Sequence, residues 1–140
     1  MSQPSLIDAR GPRFSALITT IVLAIALLTK STFVIWFQVL VFAIGALISP
    51  TKTPYALIYK AVVKPRLKGE VPTEDVKPPQ FAQTVGLIFA LVAATGLALG
   101  STATFSTAVS LALAAAFLNA AFDFCLGCQI YFLLVRAFSK

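Results

Sequence analysis

The residues of this chain with the best claim to chemistry are two cysteines, Cys125 and Cys128, and the acid just ahead of them, Asp123. Their C-x-x-C spacing sets two thiols one helical turn apart, close enough to join once that turn relaxes. A helix starting near Asp123 would hold Cys125 at its positive end, where the dipole favours a thiolate. Such a pair suits reversible dithiol–disulfide exchange, with Cys125 attacking and Cys128 resolving. It also suits a persulfide held on one sulfur and released by the other. The alternative is two inert buried cysteines behaving as small hydrophobes. Asp123 has two readings as well, a helix cap or an acid that handles protons near the membrane. Asn119, four residues earlier, fits a hydrogen bond to a neighbouring helix.

Other chemistries find less support. Zinc wants about four nitrogen, sulfur or oxygen ligands, and the chain has no histidine. Two thiolates alone would suit Cu(I) better. There is no Ser-His-Asp set, no phosphate-cradling glycine loop and no paired-carboxylate motif. No metal and no cofactor is expected, and the pair by itself does not decide whether the chain is an enzyme.

The elements that must position these residues are read from composition. Of 140 residues, 59% are hydrophobic and 11% charged, with a mean hydropathy of +0.91. Soluble domains run near 45–50% apolar and about 25% charged. So small a globule has too little interior for this much apolar surface. Lipid is the remaining solvent. The net charge of +6 could suggest nucleic acid, but the charges sit in the connections between apolar runs, not on a soluble face. The expectation is a single all-α membrane domain over residues 1–140. It would have about four transmembrane helices and a short interfacial amphipathic helix.

The spans fall at about 13–29, 32–49, 81–99 and 104–122. The first is short, and its helix must begin at Pro12 or rely on snorkelling flanks. Arg10 and Arg13 precede it as in a signal peptide, but no small-x-small cleavage site lies before Lys30, so it is expected to stay in the mature chain. Pro50 stops the second span. Thr53 and Pro54 read as an N-cap and first helical position. They open an interfacial helix over 54–64 with Tyr55, Ile58, Tyr59 and Val62 on one side, and Lys60 and Lys64 on another, facing headgroups. Residues 65–80 lack apolar periodicity and read as a cytoplasmic loop. Small residues recur every four positions at Gly86, Ala90 and Ala94, at Gly96 and Gly100, and at Ala108, Ala112, Ala116 and Ala120. Such rows let helices approach closely in lipid. Trp36 is expected against a partner helix. Tyr55, Tyr59 and Tyr131 are expected at headgroup depth.

The last apolar run, 105–135, would be roughly 46 Å long as one helix, against a hydrocarbon core of about 30 Å. It either tilts and protrudes, or breaks near residues 121–124. A break would make Asp123 the cap of a separate C-terminal helix over 124–138. Four spans place Arg10 and Arg13, then Lys52, Lys60, Lys64, Arg66, Lys68 and Lys77, then Arg136 and Lys140 on one side of the membrane. Those are ten of the 11 basic residues, with Lys30 alone outside. The positive-inside rule then predicts the cytoplasmic (inner) membrane of a bacterium, crossed several times, with both termini and the cysteines on the cytoplasmic side.

Four segments carry a family resemblance. They are D-A-R-G-P-R-F at 8–14, P-R-L at 65–67, P-P-Q-F-A-Q at 78–83 and L-N-A-A-F-D-F-C-L-G-C-Q-I-Y at 118–131. Together they resemble a small bacterial integral-membrane family catalogued as domain of unknown function 4395. The resemblance implies a four-helix membrane module. It also implies thiol or sulfur handling at Cys125 and Cys128, because genes of the family are often found near thioredoxin-like and rhodanese-like proteins. A cytoplasmic protein of either kind is the implied partner, beside the lipid bilayer and a homo-oligomer or larger membrane complex. The family pattern often carries an acid after the second cysteine, where this chain has Gln129. The competing expectation is a non-catalytic membrane subunit or assembly factor with structural cysteines.

Overall fold

The computed structural model describes residues 6–8, 10–66, 73–75, 77–122 and 126–138. The described elements, in order, are β1 (Leu6–Asp8), α1 (Arg10–Thr29), α2 (Thr32–Leu47), α3 (Pro54–Ile58), β2 (Thr73–Asp75), α4 (Lys77–Ala98), α5 (Thr102–Phe122) and α6 (Leu126–Phe138). A single 3-10 turn, Pro50–Lys52, precedes α3. A π turn, Tyr59–Val63, and a 3-10 turn, Lys64–Arg66, prolong it. The expected helix over 54–64 is therefore one helical run of changing pitch. Pro65 lies in its last turn, where a residue without an N–H cannot extend an α-helical ladder.

Helix α1 packs on α5, α2 on α4, and α4 on α5, with α1 against α2 completing a four-helix bundle. Helix α6 lies against α4, and α3 against α1. The shared core holds Leu23 and Ala26 of α1, Ile35, Val39 and Phe42 of α2, Ala90, Ala93 and Ala94 of α4, and Phe105, Ala108, Val109 and Ala112 of α5. Close approach comes from small residues. Phe42 sits where a Cβ on Gly86 would stand, and Thr104 does the same at Gly96. Two of the small-residue rows are thus used inside the bundle. Ala90 and Ala94 are buried in the first, and Ala108 and Ala112 in the second.

Many large apolar side chains nevertheless face outward: Leu17, Ile21, Ile25 and Leu28 on α1, Phe33, Trp36 and Leu40 on α2, and Leu111 and Phe117 on α5 are exposed. Trp36, expected against a partner helix, is 46% exposed within the single chain. An exposed apolar surface of this extent belongs in lipid or under a partner. Three helices, Arg10–Thr29, Pro79–Ala98 and Thr102–Phe122, are long and apolar enough to cross a membrane. Helix α2, with 16 residues, is a shorter apolar helix.

Three features depart from the sequence reading. Strands β1 and β2 form a two-stranded antiparallel ladder, pairing Leu6 with Asp75, Ile7 with Glu74 and Asp8 with Thr73. Three residues per strand are too few for a period-2 signal, so both lay hidden in polar leader and loop. Helix α4 starts at Lys77, ahead of the expected start near 81. Pro78 and Pro79 fit its first turn, where the missing N–H groups have no intrahelical partner anyway. Tyr55 and Tyr59, expected at headgroup depth, are buried within the protein. The Tyr55 hydroxyl donates to Oε1 of the fully buried Gln38 at 2.7 Å, and its ring faces Phe37. The Tyr59 ring packs beside Phe14 and Gly11 at the start of α1. Lys60 turns back to donate to the Thr51 carbonyl at 3.0 Å.

Candidate functional site

The junction between α5 and α6 carries the candidate thiols. Asp123 and Cys125 fall outside the described residues, so the cap expected at Asp123 and the position of the attacking thiol do too. Cys128 is described. It lies in the first turn of α6, is buried at 8% exposure, and is disulfide-bonded. The chain's other cysteine is Cys125.

Helix α6 holds Cys128 inward through an aromatic contact one turn further on. The Tyr131 ring meets Phe81 of α4 at a centroid distance of 5.7 Å, and stacks edge-on with Phe132 at 5.8 Å. The opposite side is apolar and open, with Ile130, Leu133, Leu134 and Phe138 exposed. With 13 residues, α6 is about 20 Å long. That is shorter than the hydrocarbon core. Gln129 is exposed.

On the other side of the junction stands Arg13. Its Nε donates to the Ala120 carbonyl at 3.1 Å, and one terminal nitrogen donates to the Ala121 carbonyl at 3.4 Å. These belong to the last turn of α5, whose carbonyls have no partner within the helix and carry its negative dipole end. A guanidinium is suited to this place, being always charged and rigidly forked. Sequence reading found Arg13 only as a topological charge; nothing local announces a partner 107 residues away. Asn119 is half-buried beside it in sequence.

A second polar grouping, which sequence reading also missed, joins α2, α3 and α4. Gln38 accepts from Tyr55, while its Nε2 is buried without a partner, as is Oε1 of Gln83. Gln80 donates from Nε2 to the Ala46 carbonyl at 2.9 Å, closing the C-terminal end of α2. Burial pushes the Tyr55 hydroxyl well above its ordinary ionisation range. These bonds tie α2 to α3 and to the first turn of α4. Among the described residues no three His, Cys, Asp or Glu side chains gather as metal ligands would.

A family model, Domain of unknown function (DUF4395), matches residues 7–136. The chain belongs to this family. No curated protein and no solved structure matches it. Within the span matched by DUF4395 lie both cysteines, Arg13, the Gln38–Tyr55 pair and all six α-helices, up to Arg136 of α6.

Proposed function

We propose that this DUF4395 chain is a bacterial inner-membrane thiol-exchange module acting through Cys125 and Cys128. The observation that carries the reading is Cys128, disulfide-bonded in the first turn of a short helix at one end of the bundle. In the forward step the two thiols join as a disulfide. Two electrons and two protons pass to a partner disulfide, which becomes a dithiol. Cys125 attacks, Cys128 resolves, and a cytoplasmic thioredoxin-like or rhodanese-like protein is the exchange partner.

Four crossings support the cytoplasmic placement. Helix α2 is about 24 Å long. It crosses as a short span, with Lys30 and Ser31 at one end and Ile48 and Ser49 at the other reaching the interfaces. The remaining ten basic residues then share one face with both termini. Helix α6 lies along that face with its apolar side in the lipid and Arg136 in its last turn toward headgroups.

Alkylation mass spectrometry on sealed vesicles tests the proposal. Both thiols are expected to react after reduction, and only where the cytoplasmic face is outward. Failure of either cysteine to react on either side, oxidised or reduced, overturns it. The second reading, a non-catalytic membrane subunit, draws on the outward row Phe33, Trp36 and Leu40 of α2. It predicts a fixed disulfide and co-purification with a partner in mild detergent.

A further inference from the structure

Three short stretches of the chain recur, in the same order, in its second half. R-G-P-R-F at 10–14 returns as K-P-P-Q-F at 77–81, and S-T at 31–32 as S-T at 101–102. I-Y-K-A-V-V-K at 58–64 returns as I-Y-F-L-L-V-R at 130–136. The structure repeats with them. The stretches open α1 and α4, open α2 and α5, and run through the α3 run (54–66) and α6. The residue before each serine takes a positive φ, 51° at Lys30 and 82° at Gly100. Each serine hydroxyl then accepts from the N–H three residues on, Val34 and Thr104, both at 3.3 Å. In the core, Leu23 and Ala26 answer to Ala90 and Ala93, and Ile35, Val39 and Phe42 to Phe105, Val109 and Ala112. Phe14 and Phe81, in matching places on α1 and α4, meet Tyr59 and Tyr131 at the same centroid distance of 5.7 Å.

Contacts between the halves are reciprocal. Helix α1 packs on α5 and α4 on α2, so each first helix lies on the other half's second. Arg13 donates to the last turn of α5, and Gln80, its counterpart, to the last turn of α2. Exchange of this kind marks a two-fold axis. On the four crossings proposed above, α1 and α4 point the same way, and the axis lies along the membrane normal. We infer that the chain is a tandem duplicate of a two-span unit whose short third helices, the α3 run and α6, are equivalent feet on one anionic leaflet of the bilayer.

The repeat also selects the side of the α3 run that meets lipid. Sequence spacing grouped Tyr59 with Ile58 and Val62, and the structure divides them. Tyr59 and Tyr131 turn toward the bundle. Ile58 and Ile130, 47% and 39% exposed, stay open, as do Val62 and Leu134 one turn on. Lys64 and Arg136 are exposed at equivalent places beyond them. An open apolar row beside a cation fits the boundary between acyl chains and phosphates. Only one foot carries a thiol, since Ala56 is buried where Cys128 is buried in the second half.

Three measurements on the full chain test this, the first two in nanodiscs. Spin labels at Ile58→Cys and Ile130→Cys, one at a time in a Cys125→Ser, Cys128→Ser background, report depth through oxygen and nickel-chelate access. Both are expected in the same leaflet, within about 5 Å of each other and near the headgroup–acyl boundary. Labels in opposite leaflets, or the Ile58 label in water, overturn the inference. So does a label shielded from both reagents, as under a second copy. Photoreactive phosphatidylglycerol is expected to crosslink both feet. Lys64→Gln and Arg136→Gln should each lower the yield at their own foot about fivefold, the worth of one surface cation. Equal crosslinking by photoreactive phosphatidylcholine overturns the anionic preference. Last, Arg13→Gln with Gln80→Arg exchanges two counterparts. Its melting midpoint in detergent is expected within about 4 °C of the parent. A swap that melts no higher than the chain with leucine at both positions overturns the duplication. No readout depends on a reactive cysteine, so thiol exchange stands or falls separately.

Discussion

Two helix ends in this bundle are made in opposite ways. The end of α4 is written locally. Gly100 takes a φ of 82°, its N–H reaches the Leu97 carbonyl, and the Ser101 N–H reaches the Gly96 carbonyl at 2.7 Å. Ser101 then accepts from the Thr104 N–H and opens α5. Every participant lies within nine residues. At the end of α5, among the described residues, the last-turn carbonyls accept from a guanidinium of α1. A local stop forms wherever its segment is made. A long-range contact exists only when the tertiary structure does, so the Arg13 bonds to α5 form only once α1 and α5 have packed.

The difference is open to direct attack. The largest effect is expected at Gly96→Ala, whose new Cβ would come within 2.8 Å of Thr104 and 3.3 Å of the Phe105 backbone nitrogen. Overpacking there is expected to destabilise the bundle by about 2–3 kcal/mol, read by thermal unfolding in detergent. The thiol–disulfide equilibrium should stay unchanged, and a shift would erase the distinction between the two ends. Next comes Tyr55→Phe, which leaves the fully buried Gln38 amide without its one partner. The loss is expected at about 2 kcal/mol.

The same tyrosine gives a pH signature. Burial raises its ionisation above the ordinary 10.0. The folded state therefore keeps the proton that the unfolded state releases. Stability is fully present below pH 10 and declines above it, and Tyr55→Phe should flatten that decline. Smaller still, Gly100→Ala meets no neighbour within 4 Å and is strained only by its positive φ. About 1–2 kcal/mol is expected. Ser101→Ala, which removes a cap from α5, should cost about 1 kcal/mol.

Much of the fold was legible as solvent preference. The helical class and the three long apolar helices follow from runs too apolar for a small globule. The rows through Gly86 and Ala108 signalled close packing, and the structure buries them among α2, α4, α5 and α1. What escaped depends on distance along the chain. Tyr55 and Tyr59 read as interfacial because their helix is amphipathic. Their burial depends on Gln38 and on Phe14 and Gly11, which local spacing does not reveal. Arg13 read as an orientation charge because its acceptors lie 107 and 108 residues on. In the candidate site the C-x-x-C was visible at once, whereas the arginine at its junction was not. A motif is a local pattern, whereas the arginine contact is tertiary.

The short ladder of β1 and β2 has its own consequence for how the chain comes together during synthesis. Residues 6–8 have no pairing strand until residues 73–75 have been made. The ribosome must therefore deliver α1, α2 and α3 before the leading segment is tied down. Once tied, the start of α1 is tethered close to the start of α4, and Arg13 lies five residues from the knot. The arginine is thus anchored before the last long helix, whose carbonyls it meets, has been made. Synthesis of α6 comes after the ladder that ties the start of α1 can close.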